Sequence, residues 1–425
     1  MRLLVSDDKG KIFDVPGIEP AGMKAGNFFR LRREDFVKLP PGSEFFMLPG
    51  RAPIGYDPGS RNFTVPEKDP RFAVAAFASP GYTATYNSAY VEMKAPKPLK
   101  PLPLFSYAAC AFHKGGFYVA AVRVDSELRQ ELRFMDAALI RKNAARFRKI
   151  FPKNRLVRHL EKCALVYCCP AAKNFFLSRY EAPLPTSPYC NAFCLGCISC
   201  QPDSEIPVTQ PRIKFVPTPE EISEAALFHI KNVADPVVSF GQGCEGEPLL
   251  VADVIHKAIK LIRKETKKGI ININTNACSP EAVSKLFDAG ADSMRVSLNS
   301  AREMYYNTYY KPRGYKFSDV LMSIKAAKKK RGFVSLNYLT MPGFTDSKCE
   351  FAAFKILVGK YNIDMVQWRN LNYDPLRYFS QMRIKPEPSE LLGVREVIKA
   401  LKKKYTHIMT GYFNPSKARI RRNRP

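Results

Sequence analysis

The chain is poor in acids, with 39 Asp and Glu against 67 Lys and Arg in 425 residues, and it has a single Trp and five His. Nowhere does it carry the roughly 20 consecutive apolar residues that a membrane-spanning helix needs. Its start, MRLLVSDDKGKIFDVPG, brings acids in early and lacks the apolar core of a secretion signal. The expectation is a cytoplasmic protein with no membrane partner. Eleven Cys are an odd number. In a long chain without a secretion signal, that argues against a disulfide framework. The shortage of acids leaves a formal net charge of +28. Such an excess favours anionic partners such as nucleic acid or phosphorylated metabolites, and equally suits a host whose proteins are rich in Lys and Arg.

The length leaves room for two or three domains. The first ~160 residues are rich in Pro, Gly and aromatics, and show short strand-like runs at Phe45–Leu48, Phe72–Phe77 and Phe117–Val124. The run APKPLKPLP from Ala95 reads as extended. Leu128–Phe151 reads as a helix with a basic face of Arg141, Lys142, Arg146, Arg148 and Lys149. Residues 1–170 are thus expected to form an accessory domain, mostly β with a terminal helix.

From Asn174 the texture changes to regular alternation. Asn174–Ser178 (NFFLS) reads as a strand. A helix opens at Thr218-Pro219-Glu220-Glu221, where Thr218 suits the N-cap, Pro219 the first turn, and the acids the helix start. Strands follow at Val237–Phe240, Ile270–Asn274, Ser293–Leu298, Phe333–Leu339 and Ile363–Arg369. Helices fall between them at Val251–Lys267, Pro280–Ala289, Ser318–Lys330 and Cys349–Tyr361. About six strand–helix units imply right-handed crossovers and a parallel sheet. Six are too few for a full eight-fold barrel, so a partial (βα)6 barrel over residues 171–385 is the expected core. Polar punctuation falls at the strand ends, where such folds place their chemistry. Residues 386–425 are expected to add a helix (Ser389–Lys404) and a basic tail with Lys417, Arg419, Arg421, Arg422 and Arg424.

Four Cys crowd into eleven residues: Cys190, Cys194, Cys197 and Cys200. Iron–sulfur clusters are held by thiolates, and a compact loop can deliver three, leaving one iron open to a small molecule. The C-x3-C-x2-C spacing of Cys190, Cys194 and Cys197 resembles the signature of the radical S-adenosylmethionine (SAM) superfamily. Further matches follow in order. Gly246-Glu247-Pro248 resembles the family's Gly-Gly-Glu-Pro segment, and Thr275-Asn276 its Thr-Asn-Gly strand end. Ser297 and Asn299 match a strand end that reaches SAM. Asn337, Pro342 and Gly343 match a later strand and turn, and Gln367 and Arg369 lie near the adenosine end. Singly, each of these polar residues is an ordinary strand-end cap; the order over ~180 residues carries the resemblance.

The resemblance implies an enzyme with a [4Fe–4S] cluster on Cys190, Cys194 and Cys197, and SAM on the fourth iron. SAM would be held by Gly246, Glu247, Thr275, Asn276, Ser297, Asn299, Asn337 and Arg369. Reductive cleavage of SAM would yield a 5′-deoxyadenosyl radical that takes hydrogen from substrate, with electrons from a reductant protein such as a flavodoxin or ferredoxin. The chain departs from the family in three ways. The aromatic usual before the third Cys is Gly196, the first Gly-Gly pair is Gly243-Cys244, and Cys200 is extra. Cys200 reads as a buried bystander, a substrate-side thiol or an alternative ligand. Cys244 and Cys278 read as small residues filling turns.

A structural zinc site joining Cys197 and Cys200 to Cys163, Cys168 or Cys169 is the competing reading of the loop. The substrate stays open. RNA or another anionic macromolecule would suit the charge and the Tyr-rich stretch from Tyr305 to Arg313, where rings could stack on bases. A peptide, protein or small metabolite would suit a maturase or activase. A cluster- or zinc-binding structural or sensing protein is the non-enzymatic alternative.

Overall fold

A computed structural model of the chain describes residues 1–66, 71–128, 131–201 and 205–422. Up to Arg123 the regular elements are short strands, broken repeatedly by Pro and Gly. Strand Arg2–Ser6 pairs antiparallel with Phe72–Phe77 and with Cys110–His113, at the centre of a seven-stranded sheet. Smaller sheets form around Glu19–Lys24. Leu4, Val74, Ala76 and Val119 fill one side of this region, and Leu48, Tyr90 and Tyr107 another.

Three helices follow where one is expected. Asp136 accepts hydrogen bonds from the backbone N–H of Ala138 (2.7 Å) and Leu139 (3.0 Å), which starts helix α1 at Ala137–Ile150 rather than at Leu128. Arg129 and Gln130, inside the expected helix, lie outside the described residues. Helix α2 spans Arg155–Leu165 and helix α3 spans Pro170–Phe176. The strand expected at Asn174–Ser178 is therefore wrong. Pro170 opens a helix, and its Phe175 and Phe176 pack against Phe147 of α1 at ring distances of 5.3 and 5.4 Å. All three helices share one core with the barrel, and of the β region's buried residues that core takes in Ala25 and Leu104. We propose on this packing that the division between units falls ahead of α1 and not at residue 170.

Seven strands then lie side by side, all parallel: β1 Glu181–Pro183, β2 Val237–Phe240, β3 Ile270–Thr275, β4 Ser293–Leu298, β5 Phe333–Thr340, β6 Met365–Asn370 and β7 Met409–Gly411. Between them run α4 Pro219–Asn232, α5 Ala252–Glu265, α6 Pro280–Ala289, α7 Glu303–Tyr310, α8 Phe317–Lys329, α9 Lys348–Lys360, α10 Pro375–Met382 and α11 Val394–Lys404. This is the curled half-barrel of alternating strands and helices that the sequence leads one to expect. It gains a seventh strand, because the segment after α11 pairs with β6 instead of trailing away.

The strands alternate sharply. Ile271, Ile273, Met294, Val296, Leu336 and Val366 join the buried apolar core. The residues between them are polar and bond to one another across the lumen. Asn272 donates to Asn274 (2.7 Å), Ser293 to Asn272 (2.8 Å) and Gln367 to Asn414 (3.0 Å). A period of two in a sheet buried on both faces thus separates an apolar layer under the helices from a polar interior.

The β region docks on the carboxyl ends of β5 and β6. Thr83 donates to the Trp368 carbonyl (2.6 Å), and Asn370 bonds to the backbone of both Tyr82 and Ala84. Lys24 forms a buried ion pair with Asp346 at 2.9 Å. The basic tail is docked too. It ends in helix α12, Lys417–Arg422, whose Ile420 is buried and whose Arg419 pairs with Asp125 at 3.0 Å. Arg424 lies outside the described residues.

Candidate active site

The cysteine loop runs from the carboxyl end of β1 across the mouth of the barrel. It is hung on the end of α7. A helix leaves its last carbonyls without intrahelical partners, and here the loop supplies them: Phe193 N–H donates to Tyr310 O (2.9 Å) and Leu195 N–H to Tyr309 O (3.0 Å). Arg313 stacks on the Phe193 ring at 3.8 Å. Gln201 closes the loop by donating to the carbonyls of Leu195 (3.1 Å) and Cys197 (2.7 Å).

The segment after β2 is laced to the same loop. Gly246 N–H donates to Ser187 O and Glu247 N–H to Tyr189 O, both at 2.7 Å. A Cβ at Gly246 would lie 1.8 Å from the Tyr189 carbonyl oxygen. Glycine is therefore required there for the approach of one protein backbone to another. Buried Glu245 ties the two segments further, accepting from the backbone N–H of Thr186 (2.8 Å), Ser187 (3.0 Å) and Gln242 (2.6 Å).

Glu247 is buried at the end of β3. It accepts from the Thr275 hydroxyl and from the backbone N–H of Asn276 (2.8 Å) and Leu249 (3.0 Å). Burial outweighs these donors and pushes its carboxyl up to about 7. Asn276 in turn donates to Asn191 in the cysteine loop at 2.8 Å.

These elements enclose a cavity of about 310 Å³ at the carboxyl ends of the strands. Cys190, Cys194 and Cys197 line it together with Gly246, Glu247, Thr275, Asn276, Ser297, Asn337 and Arg369. Asn299 does not reach it. Its amide turns behind the wall, towards Tyr305 O (3.2 Å) and the Tyr378 hydroxyl (3.4 Å). Gln367 is sealed in the polar lumen, and Gly343 packs on the backbone of Lys24 and Ala25. Of the polar residues at the cavity, Thr275 and Asn276 are spent on Glu247 and the loop, whereas Asn337 keeps a buried Oδ1 without a partner among the described residues.

The cavity also holds residues that sequence reasoning passes over. Arg212 lies 3.8 Å from the Cys197 sulfur and 3.3 Å from the Ser199 hydroxyl. Among the described residues, Arg295 rises from β4 with only Gln367 as an acceptor, at 3.3 Å, and its Nε has none. Burial and the neighbouring Arg369 pull its guanidinium down to about 9. An arginine at an inward position of a strand, between the smaller Ser293 and Ser297, was the available signal. Tyr309 and Tyr310 line the cavity as well. The Tyr309 hydroxyl fills the place beside Gly196, where a Cβ would come within 2.8 Å of it. Tyr305, Tyr306, Tyr309 and Tyr310 are all buried, so this stretch does not offer open rings for stacking bases.

The three loop thiols suit a polynuclear cluster. They face one cavity, and burial pushes the Cys190 thiol up to about 11 and Cys194 higher, as befits ligands that lose their protons only to a metal. Among the described residues they are not gathered to within 4.8 Å of one another, as a single ion would require. Cys200 is exposed, which removes the buried-bystander reading. Among the described residues no helix is long and apolar enough to cross a membrane.

No curated protein matches the chain in sequence. Among solved structures, it is similar to native anSMEcpe with bound AdoMet, at 16% identity over 48% of this chain and 58% of that one, with a TM-score of 0.35. It is also similar to the FeFe-hydrogenase maturase HydG from Carboxydothermus hydrogenoformans (14% identity, 70% and 74% covered, TM-score 0.37) and to methylornithine synthase PylB (17%, 61% and 82%, TM-score 0.35). The chain thus spans less than two thirds of the first of these, and likeness at this level carries nothing about substrate. Residues 184–354, which hold the cysteine loop, the Glu247 segment and strands β2 to β5, match the family model described as Radical SAM superfamily, so this stretch of the chain is a radical SAM domain.

Proposed function

We propose that Cys190, Cys194 and Cys197 hold a [4Fe–4S] cluster whose open iron binds SAM in the cavity. The observation that carries this reading is the convergence of three unpaired thiols and the buried Glu247 on one cavity at the strand ends. When bound, the pair would supply an electron to SAM and a 5′-deoxyadenosyl radical to abstract hydrogen from substrate. The protein's part is binding and orientation. Glu247, poised at about 7 and already holding three donors, has room for one more, and the SAM ammonium would return it to the carboxylate form. Ser297 and Asn337 would meet the rest of the ligand from β4 and β5, joined from β6 by Arg369, which is steadied by the Tyr412 carbonyl at 2.9 Å. Tyr309 takes over the packing that an aromatic at Gly196 would give. Asn299 acts as a positioning residue, bracing α7 and α10.

The test is anaerobic reconstitution followed by electron paramagnetic resonance of the reduced protein. A [4Fe–4S]⁺ signal that SAM perturbs should disappear in Cys190→Ala, Cys194→Ala and Cys197→Ala, and survive in Cys200→Ala. Tightly bound zinc on the triad, with no cluster signal, would remove the radical chemistry and favour a structural or sensing protein.

For the substrate, we propose a group of negative charge reaching the lumen. Arg295 and Arg369 place two guanidinium groups there, and Arg295 is nearly without acceptors. RNA remains a reading because α1 presents Arg141, Lys142 and Arg146 to solvent. RNA affinity at low salt that falls steeply as salt rises would support it. No binding at low salt leaves a small anion, or an acidic peptide as in a maturase, as the substrate. A flavodoxin or ferredoxin is proposed as the electron donor.

A further inference from the structure

Outside the cysteine loop, a second set of metal-ligating atoms is drawn together. His159 and Cys163 stand four residues apart on α2, hence on one helix face. Cys244 meets them from the segment after β2. The His159 Nε2 lies 3.4 Å from the Cys163 sulfur and 3.4 Å from the Cys244 sulfur, and all three ligand atoms fall within 4.8 Å of one another. In a tetrahedral site with Zn–S of about 2.3 Å and Zn–N of about 2.0 Å, neighbouring N and S ligands sit about 3.5 Å apart. The observed N–S spacing thus matches ligands around one ion, while also being within hydrogen-bond reach. Cys163 and Cys244 are buried and His159 partly so.

We propose that His159, Cys163 and Cys244 bind a single zinc ion, separate from the iron–sulfur cluster. Binding would release the two thiol protons, and the two thiolates would then neutralise the dication, so the site is uncharged overall and tolerates its burial. A nitrogen and two sulfurs in tetrahedral array suit zinc over the harder cations. The fourth position falls to a water, since the Cys169 sulfur is not among the gathered ligand atoms. The ion would pin α2 to the segment that carries Glu245 and Glu247. Metal content at one site would thereby set the rigidity of the other, which explains why Cys stands where the family has glycine.

The test uses the full chain carrying Cys190→Ser, Cys194→Ser and Cys197→Ser, so that loss of the cluster cannot be mistaken for loss of this site. Purified under reductant, it should retain about one equivalent of zinc by elemental analysis. Cobalt(II) added to the stripped protein should give a thiolate-to-cobalt charge-transfer band and an intense tetrahedral ligand-field band. His159→Ala, Cys163→Ser and Cys244→Ser should each lower zinc retention by at least about tenfold. A natively folded parent that takes up neither zinc nor cobalt would overturn the proposal, whatever the variants do. So would zinc retained in the Cys163→Ser/Cys244→Ser double variant, or iron bound in preference to zinc at equal supply. A Cys163–Cys244 disulfide after air exposure, with no cobalt uptake by the reduced protein, would overturn it also.

Discussion

His229 shows how one buried side chain sets a pH limit. It sits on α4 with Nε2 3.3 Å from the Tyr180 carbonyl, and its Nδ1 has no partner among the described residues. Burial lowers its pKa from 6.5 to about 4, only partly opposed by the Tyr180 contact. The unfolded chain therefore binds a proton below pH 6.5 that the folded chain refuses until about pH 4. Stability from this residue is whole above pH 6.5 and is lost as pH falls towards 4, by about 3 kcal/mol in all. His229→Gln should flatten the fall in melting temperature between those values, as a pH series of thermal unfolding curves would show. Gly246 makes a steric claim instead. Gly246→Ala drives a methyl into the Tyr189 carbonyl, so it should cost about 1–3 kcal/mol by overpacking and lower iron per chain after reconstitution.

Among the elements, α7 has the most to do with the site, and its seat is made by α9. Glu350, fully buried, accepts from Ser300 Oγ (2.7 Å), Ala301 N–H (2.7 Å), Arg302 Nε (2.8 Å) and the Tyr338 hydroxyl (2.7 Å). These fix residues 300–302 just ahead of α7, whose last carbonyls carry the cysteine loop. Glu350→Ala strands a half-buried arginine and a buried tyrosine hydroxyl. The expected cost is about 3–5 kcal/mol, read as a shift of the urea midpoint. Cluster iron should fall in the same variant under conditions where circular dichroism still reports a folded chain. Retention of full iron would show that the loop is held by other means.

Across the whole molecule, the β region and the barrel meet through buried polar contacts. The Lys24–Asp346 pair is 4% and 0% exposed, and the Lys24 ammonium also lies 4.2 Å above the Tyr86 ring. Removing either partner leaves a buried charge alone, at about 3–5 kcal/mol, whereas replacing both with apolar groups costs much less. Lys24→Met and Asp346→Leu should therefore be worse singly than together in a double-mutant cycle of unfolding free energies. Equal and additive losses would mean that the ion pair contributes little to the docking.

Much of this architecture was legible in the chain. Val237–Phe240, Pro280–Ala289 and Ser293–Leu298 stand where their periodicity puts them, and α4 begins at Thr218 with the N-cap, Pro and acids in their expected places. Strict alternation and local capping are properties of neighbours in sequence, so sequence shows them. The cysteine triad was legible for the same reason, its three thiols coming from one short loop. Other features depend on distant segments meeting. Asn174–Ser178 has strand-forming residues but is helical, because Phe175 and Phe176 pack on Phe147. Met409–Gly411 is too short to announce itself and becomes a strand only because β6 offers an open edge. Asn299 shares a strand end with Ser297, yet two residues of chain turn it behind the wall. Only the tertiary structure could bring Arg212 and Arg295 to the cavity, or place Cys244 against His159 and Cys163 across more than 80 residues. Sequence by itself determined most of the barrel's strands and helices and the cysteine loop, since these are encoded locally. Packing decided which of the remaining polar residues face one another, because that depends on how far the barrel curls and what covers its open end.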